Sequence, residues 1–220
     1  MHNSVIAWIL SIMVQVAPPD RLAAGPQWPG WEETAEQKLE RYESFAEDLY
    51  EVVYDPAFKP LYDGRLGRAR TATLVLGVAF HESGFAHDTD KGPCYRGPGN
   101  VGRCDGGASA CVMQVNVGAG TSQEGWTRAE LFAERTKCFR AGIRLLRRSM
   151  RACSKLEGKH WLAAYAAGTC EHRMGQQRSM ELLALGERFA GMTKIPGPDT
   201  AFLVSRDSDT GHRGTISPVP

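Results

Sequence analysis

The sequence predicts a mainly α-helical fold, on three observations. Apolar residues recur at three- and four-residue spacing in several separate segments, the signature of helices with one buried face. Two capping boxes, Thr34 with Gln37 and Thr127 with Glu130, mark helix starts. Chain breakers stand where these segments stop, at Asp55-Pro56, Gly84 and Gly168. The 220 residues suffice for one domain with a sizeable core plus tails. A hydrophobic content of 42% and a charged content of 23% are ordinary for a globular protein. The net charge of +1 gives no global field that would attract nucleic acid or an anionic membrane.

The chain divides into an apolar N-terminal segment and linker (1–31), a helical domain (32–190) and a tail (191–220) rich in Pro, Gly, Ser, Asp and Thr. Val5–Ala17 is an apolar run of 13 residues. It has the length of a signal-peptide core and falls short of the about 20 apolar residues that a membrane span needs. No Lys or Arg precedes it, Pro18-Pro19 is a poor cleavage site, and Ala23-Ala24 is a later, weaker one. An export or anchoring role, with membrane association through this segment, is expected. The alternative is an apolar segment that packs on the domain. Pro18–Trp31 reads as a linker and the tail as mostly disordered.

From Glu32 the pattern turns helical. Leu39, Tyr42, Phe45, Ala46, Leu49, Val52 and Val53 recur at three- and four-residue spacing, and Asp55-Pro56 ends the run. A second helix is predicted from about Arg68 to Glu82, with Ala72, Val75, Leu76, Ala79 and Phe80 as its stripe and Gly84 as its cap. His87–Ala110 lacks periodicity and is expected to be a loop, of a length that tends to be functional. Cys111–Val117 reads as a brief strand or a helical turn. A helical region follows from Thr127 to about Cys153, with Phe139, Ile143, Leu146, Met150 and Cys153 on one face. Arg140, Arg144, Arg147, Arg148 and Arg151 lie on another. Lys159–Ala167 and Gln177–Phe189 are the last two predicted helices.

All six cysteines lie between Cys94 and Cys170. An even number in one segment suggests disulfides and an oxidising compartment. Buried reduced thiols are the alternative. Zinc lacks its usual ligand spacing, because no CxxC or HxxxH pair occurs. If Cys138 and Cys153 lie on one straight helix they are roughly 22 Å apart, whereas a disulfide tolerates about 7 Å between Cα atoms, so they should not pair. Cys94–Cys104, Cys111–Cys138 and Cys153–Cys170 is the pairing favoured among the 15 that six cysteines allow.

Glu82 is the candidate for chemistry. It ends an apolar helix beside Phe80 and Phe85. Burial and the negative end of the helix dipole both disfavour a charged carboxylate there. A carboxylic acid kept protonated near neutral pH can protonate a glycosidic oxygen, as in the lysozyme example of such tuning. Taken alone, Glu82 reads more readily as a side chain that caps or salt-bridges at a helix end.

Three motifs in order change that balance. His81-Glu82-Ser83-Gly84-Phe85 resembles the Glu-Ser-Gly-Phe motif of soluble lytic transglycosylases. Cys111-Val112-Met113-Gln114-Val115-Asn116 resembles their Gly-Leu-Met-Gln motif, often followed by Ile-Asn. Ala163-Ala164-Tyr165-Ala166-Ala167-Gly168 resembles their Ala-Tyr-Asn-Ala-Gly motif. The spacings are 32 residues from Glu82 to Gln114 and 51 from Gln114 to Tyr165. The resemblance covers roughly residues 68 to 190. It implies a lysozyme-like helical domain with a disulfide-stapled loop. It also implies that Glu82 is the general acid and then base, and that Ser83 supports the site near the sugar's acetamido group. Met113 and Gln114 would line the cleft, with Asn116 beside them, and Tyr165 would orient Glu82. Cys111 stands where the motif has Gly, and Ala166 where it has Asn.

Ordinary glycosidases use two carboxylates. The resemblance implies one, acting on the bond between N-acetylmuramic acid and N-acetylglucosamine and leaving a 1,6-anhydro product. Asp88, Asp90 or Asp105 could act as the second carboxylate of a hydrolytic muramidase, although loop aspartates are more often turn formers. A wall-binding module without activity is the reading from a different class. The arginine stripe reads as a solvated helix face, or as a surface drawn to anionic wall polymers. Peptidoglycan glycan strands are the expected partner, with no nucleic acid, metal or cofactor, and the protein is expected to be a monomer in the periplasm or outside the cell. His81 and His87 flank the site without a third ligand.

Overall fold

The computed structural model describes residues 2–21, 30–92, 94, 104–158 and 160–195. The protein is mainly helical. Its elements in order are α1 (His2–Val16), α2 (Ala35–Tyr54), α3 (Gly67–Ser83), α4 (His87–Lys91), a 3-10 turn (Asp105–Gly107), β1 (Ser109–Ala110), β2 (Val115–Asn116), α5 (Arg128–Ala133), α6 (Arg135–Ala152), α7 (Ala163–Ala167) and α8 (Arg173–Met192). The strands form a small antiparallel hairpin in which Ala110 faces Val115.

Both capping boxes form. Thr34 and Thr127 accept from the backbone N–H of Gln37 and Glu130, whose side chains return to the cap N–H. The end of α2 is closed from a distance. Arg68 donates to the carbonyl of Val53, an acceptor in the last helical turn, and to those of Asp55 and Phe58 just beyond it.

Helix α3 is central, buried continuously from Thr71 to Ala79. It meets α8 where glycine faces glycine. A Cβ on Gly77 would lie 3.0 Å from the Gly186 nitrogen, and one on Gly186 would lie 3.1 Å from the Leu74 Cα. The two backbones therefore touch directly, which fixes how the C-terminal end of α3 meets α8.

Helix α1 is part of the domain. Trp8, Ile9, Ile12 and Met13 are buried in the common core, and α1 packs on α2. Lys38 donates to the carbonyls of Pro18 and Arg21 and so holds the segment leaving α1. The packing alternative for this segment is the arrangement seen, and its apolar face is used inside the fold. No helix among the described residues is long and apolar enough to cross a membrane.

The three disulfides are Cys94–Cys104, Cys111–Cys138 and Cys153–Cys170, with Cα separations of 6.1, 6.2 and 5.4 Å. They close the loop before β1, tie the hairpin to α6, and tie the end of α6 to the chain leaving α7.

Several boundaries differ from expectation. The presumed loop opens with the helix α4 and closes with the 3-10 turn and β1; residues 93 and 95–103 lie outside the described set. The helical region after Thr127 is two helices, broken at Glu134 (φ −122°, ψ 94°). The helix near Lys159 begins only at Ala163, and Lys159 is outside the described residues. The final helix starts four residues earlier than predicted, capped by His172, which accepts from the Gly175 N–H. Most of the linker (22–29) and of the tail (196–220) lies outside the described residues.

Candidate active site

The end of α3 is built to stop and turn inward. Gly84 adopts φ 60°, a left-handed conformation that glycine takes without strain, and its N–H bonds the Phe80 carbonyl at 2.7 Å. Phe85 follows at φ 55° and is buried edge-on against Phe45 and Tyr42. The Ser83 hydroxyl donates to the Ala79 carbonyl (2.6 Å) and accepts from the Phe85 N–H (3.1 Å). Both of these contacts close the helix end, so Ser83 shapes the turn beneath Glu82 and its hydroxyl is committed to backbone.

Glu82 is half-buried, with 15% of its side chain exposed. Its Oε1 lies 3.5 Å from His81 Nδ1, and His81 Nε2 lies 3.6 Å from Oε2 of Glu181 on α8. The contact with Glu82 raises the pKa of His81. Burial and the Arg178 charge oppose that shift, and Glu181 adds to it.

Tyr165 on α7 is the meeting point. Its hydroxyl donates to the Met113 carbonyl at 2.6 Å. Burial holds its pKa well above the ordinary phenol value; the negative charge of Glu82 pushes the same way, against Arg178. The phenol is therefore neutral, with its proton committed to Met113. Ser149 of α6 steadies α7 by accepting from the Tyr165 N–H and donating to the Trp161 carbonyl. The Tyr165 phenol thus links the second and third motifs through the Met113 carbonyl and feels the charge of Glu82 from the first.

The Met113 side chain differs from expectation. It is fully buried and fills the space left by Gly142 of α6, where an added Cβ would sit 2.8 Å from its atoms. It is a core residue and its carbonyl, rather than its thioether, reaches the site. Gln114 is half-buried at φ 46°, and its amide nitrogen donates to the Cys111 carbonyl (3.0 Å) and contacts Cys104 Sγ (3.1 Å). Its amide oxygen has no partner among the described residues. Asn116 is exposed, and its Oδ1 accepts from the Gly118 N–H in a local turn.

Among the described residues between 94 and 114, five non-glycine residues have positive φ: Cys94, Cys104, Asp105, Cys111 and Gln114. The left-handed conformation costs an ordinary residue roughly 1–2 kcal/mol, and such strain gathers at functional sites. Cys111, where the resembled motif has glycine, takes φ 57° and is braced to α6 by its disulfide.

Ala166 and Ala167 line a cavity of about 310 Å³ with Met174, Gln177, Arg178 and Glu181 of α8. An asparagine at 166 would extend further than alanine into this space. Arg178 and Glu181 were missed in the sequence because on α8 they read as ordinary exposed positions. Their link to Glu82, through His81 and Tyr165, is tertiary.

The candidate second carboxylates are placed differently. Asp90 is buried. Arg135 grips it through both oxygens (2.7 and 2.9 Å), and Arg41 bonds it at 3.2 Å. Burial works against its charge, but the hydrogen bonds and charge of Arg135, with Arg41 and Lys91, outweigh that and hold its pKa below the usual range. A carboxylate so neutralised is a structural group and not a base for water. Asp105 accepts from the Ser109 hydroxyl at 2.7 Å. Asp88 is buried.

The arginine stripe is partly used within the fold. Arg140 pairs with Asp55, Arg144 with Glu124, and Arg147 donates to the Lys59 carbonyl beside the Phe58 ring. Among the described residues no three His, Cys, Asp or Glu side chains gather as a metal site. No family model, curated protein or solved structure matches the chain.

Proposed function

We propose that this protein is a peptidoglycan lytic transglycosylase with a lysozyme-like fold, in which Glu82 is the acid and base. The observation that carries the reading is the convergence on Tyr165. A half-buried glutamate at a helix end lies near enough for its charge to act on a phenol whose only proton is given to the Met113 carbonyl. Such a phenol can receive a hydrogen bond from a protonated acid but has none to give to a carboxylate.

In this reading Glu82 protonates the oxygen bridging N-acetylmuramic acid and N-acetylglucosamine, and the C1–O bond breaks. The substrate's acetamide steadies the positive centre. The Glu82 carboxylate then takes the proton of the C6 hydroxyl as its oxygen closes on C1, which gives the 1,6-anhydro product and restores the acid. Gln114 offers its amide oxygen to the glycan. A hydrolytic outcome needs a second carboxylate to activate water; Asp90 is neutralised by arginine and Asp105 is engaged with Ser109. Three disulfides suit an oxidising compartment outside the cytoplasm, where glycan strands are found.

Digestion of purified peptidoglycan followed by mass spectrometry tests the proposal. Anhydro-muropeptides, lighter by one water than reducing-end products, are expected from the wild type and none from Glu82→Gln. Reducing-end products would replace the lyase with a muramidase. Cleavage retained in Glu82→Gln would remove Glu82 from the mechanism, and binding without cleavage by the wild type would identify a wall-binding module.

A further inference from the structure

We infer that His81 is a positioning residue of the reaction proposed above: its imidazole bridges Glu82 to Glu181 and shares one proton with the Glu82 carboxyl. The inference rests on that reaction for its catalytic meaning, and on the following geometry for its existence.

Neighbouring residues on a helix diverge and do not normally face each other. His81 and Glu82 nevertheless meet, with Nδ1 3.5 Å from Oε1. Nδ1 is shielded from solvent and has no hydrogen-bond partner at normal length. A buried polar nitrogen without a partner is costly, and here the charged group in front of it is the proposed acid. Contacts of this kind tighten when substrate binds. On the other side of the ring, Nε2 faces Glu181 at 3.6 Å, so α8 fixes the orientation of the imidazole from a second helix.

The groups facing the ring are Glu82 on its own helix and Glu181 and Arg178 on α8, with Tyr165 of α7 next to Glu82. Two carboxylates against one guanidinium favour the imidazolium, in line with the raised His81 pKa. His81 and Glu82 form a pair that can hold two protons, one or none between them. With two protons the pair holds imidazolium and carboxylic acid. With one, the ion pair is the main form, and transfer of the Nδ1 proton to Oε1 gives the minor form, neutral imidazole and carboxylic acid. In that transfer the Nδ1–H bond breaks and the O–H bond forms, while Nε2–H stays on Glu181. Only forms with a protonated Glu82 can act as the acid. The cleavage rate should therefore fall in two steps as pH rises: first to a shoulder set by the minor one-proton form, then to zero.

Two measurements on the full chain test this. The first follows the His81 ring by NMR titration in wild type, Glu82→Gln and Glu181→Gln, and needs no activity. The His81 midpoint should move to lower pH in Glu82→Gln and, by less, in Glu181→Gln. The second is the pH profile of anhydro-product formation from soluble glycan strands. His81→Gln should replace the two-step decline by a single step, and Glu181→Gln, at a half-exposed position, should raise the shoulder, because a less basic imidazole yields its proton to Oε1 more readily, and should move the second step to lower pH. An unmoved His81 midpoint in Glu82→Gln, or superimposable profiles for wild type and His81→Gln, overturns the inference alone. Absence of cleavage by the wild type at every pH overturns the proposed activity and the role of His81 with it.

Discussion

The Tyr165 hydroxyl joins two halves of the candidate site through one bond, 2.6 Å to the Met113 carbonyl. Tyr165→Phe keeps the ring and removes that bond, leaving a buried acceptor unpaired at a cost of about 1–3 kcal/mol. Denaturant unfolding should show a loss in this range, and product formation should fall by more than stability alone explains, because the backbone at 113–114 loses its anchor. At this scale the sequence picked out the positions of the candidate site better than it told which of their atoms face it. Glu82, Gln114 and Tyr165 were legible as motif positions. Met113 was legible too, but with the wrong part assigned, since residue type does not reveal whether a side chain or its carbonyl faces a site. Ser83 likewise works through backbone contacts. Arg178 and Glu181 carried no local signal at all.

Helices were legible to the extent that their ends are written in local chemistry. Thr34 and Thr127 specify starts, and Gly84 and Gly168 specify stops, each through a bond made within a few residues. The break at Glu134 and the short α4 were not legible, because they answer to Arg135 and Asp90 meeting across the core. Helix-to-helix fit decides one prediction. Gly142→Ala adds about 1 kcal/mol of helix propensity, yet the new methyl would lie 2.8 Å from the Met113 Cβ, Cγ and Cε. Overpacking of that kind costs about 1–3 kcal/mol, so the variant should melt at lower temperature and cleave more slowly as Met113 is displaced. Gly191→Ala, with open space around its Cβ position, is the control and should melt at the same or a higher temperature.

Across the whole molecule, a buried charge cluster holds α2, α4 and α6 together. Arg41 bonds Glu33, Asp90 and the Phe85 carbonyl, while Arg135 bonds Asp90, Asp48 and Ser44. The folded pKa of Asp90 lies below its unfolded value of about 3.9. Its stabilising contribution is therefore fully present above about pH 4 and is lost as pH falls through the folded pKa. Arg135→Met should cost about 3–5 kcal/mol near neutrality by leaving a buried charge under-paired, and this penalty should shrink on acidification as Asp90 is protonated. Chemical denaturation of both proteins from pH 3 to 7 measures the two slopes. Nothing in the local sequence announced this cluster. Asp90 lies 45 residues from Arg135 and 49 from Arg41, and inside a Gly- and Asp-rich stretch it read as a turn former or a catalytic candidate.

The bond between Cys111 and Cys138 has a consequence for where the molecule becomes armed. With both thiols reduced, the unfavourable backbone at 111 has no covalent support, and the carbonyl two residues on loses its fixed seat opposite the phenol. On the proposed activity, completion of the site then waits on oxidation, and a chain in a reducing compartment would carry Glu82 without the braced backbone that seats the Met113 carbonyl.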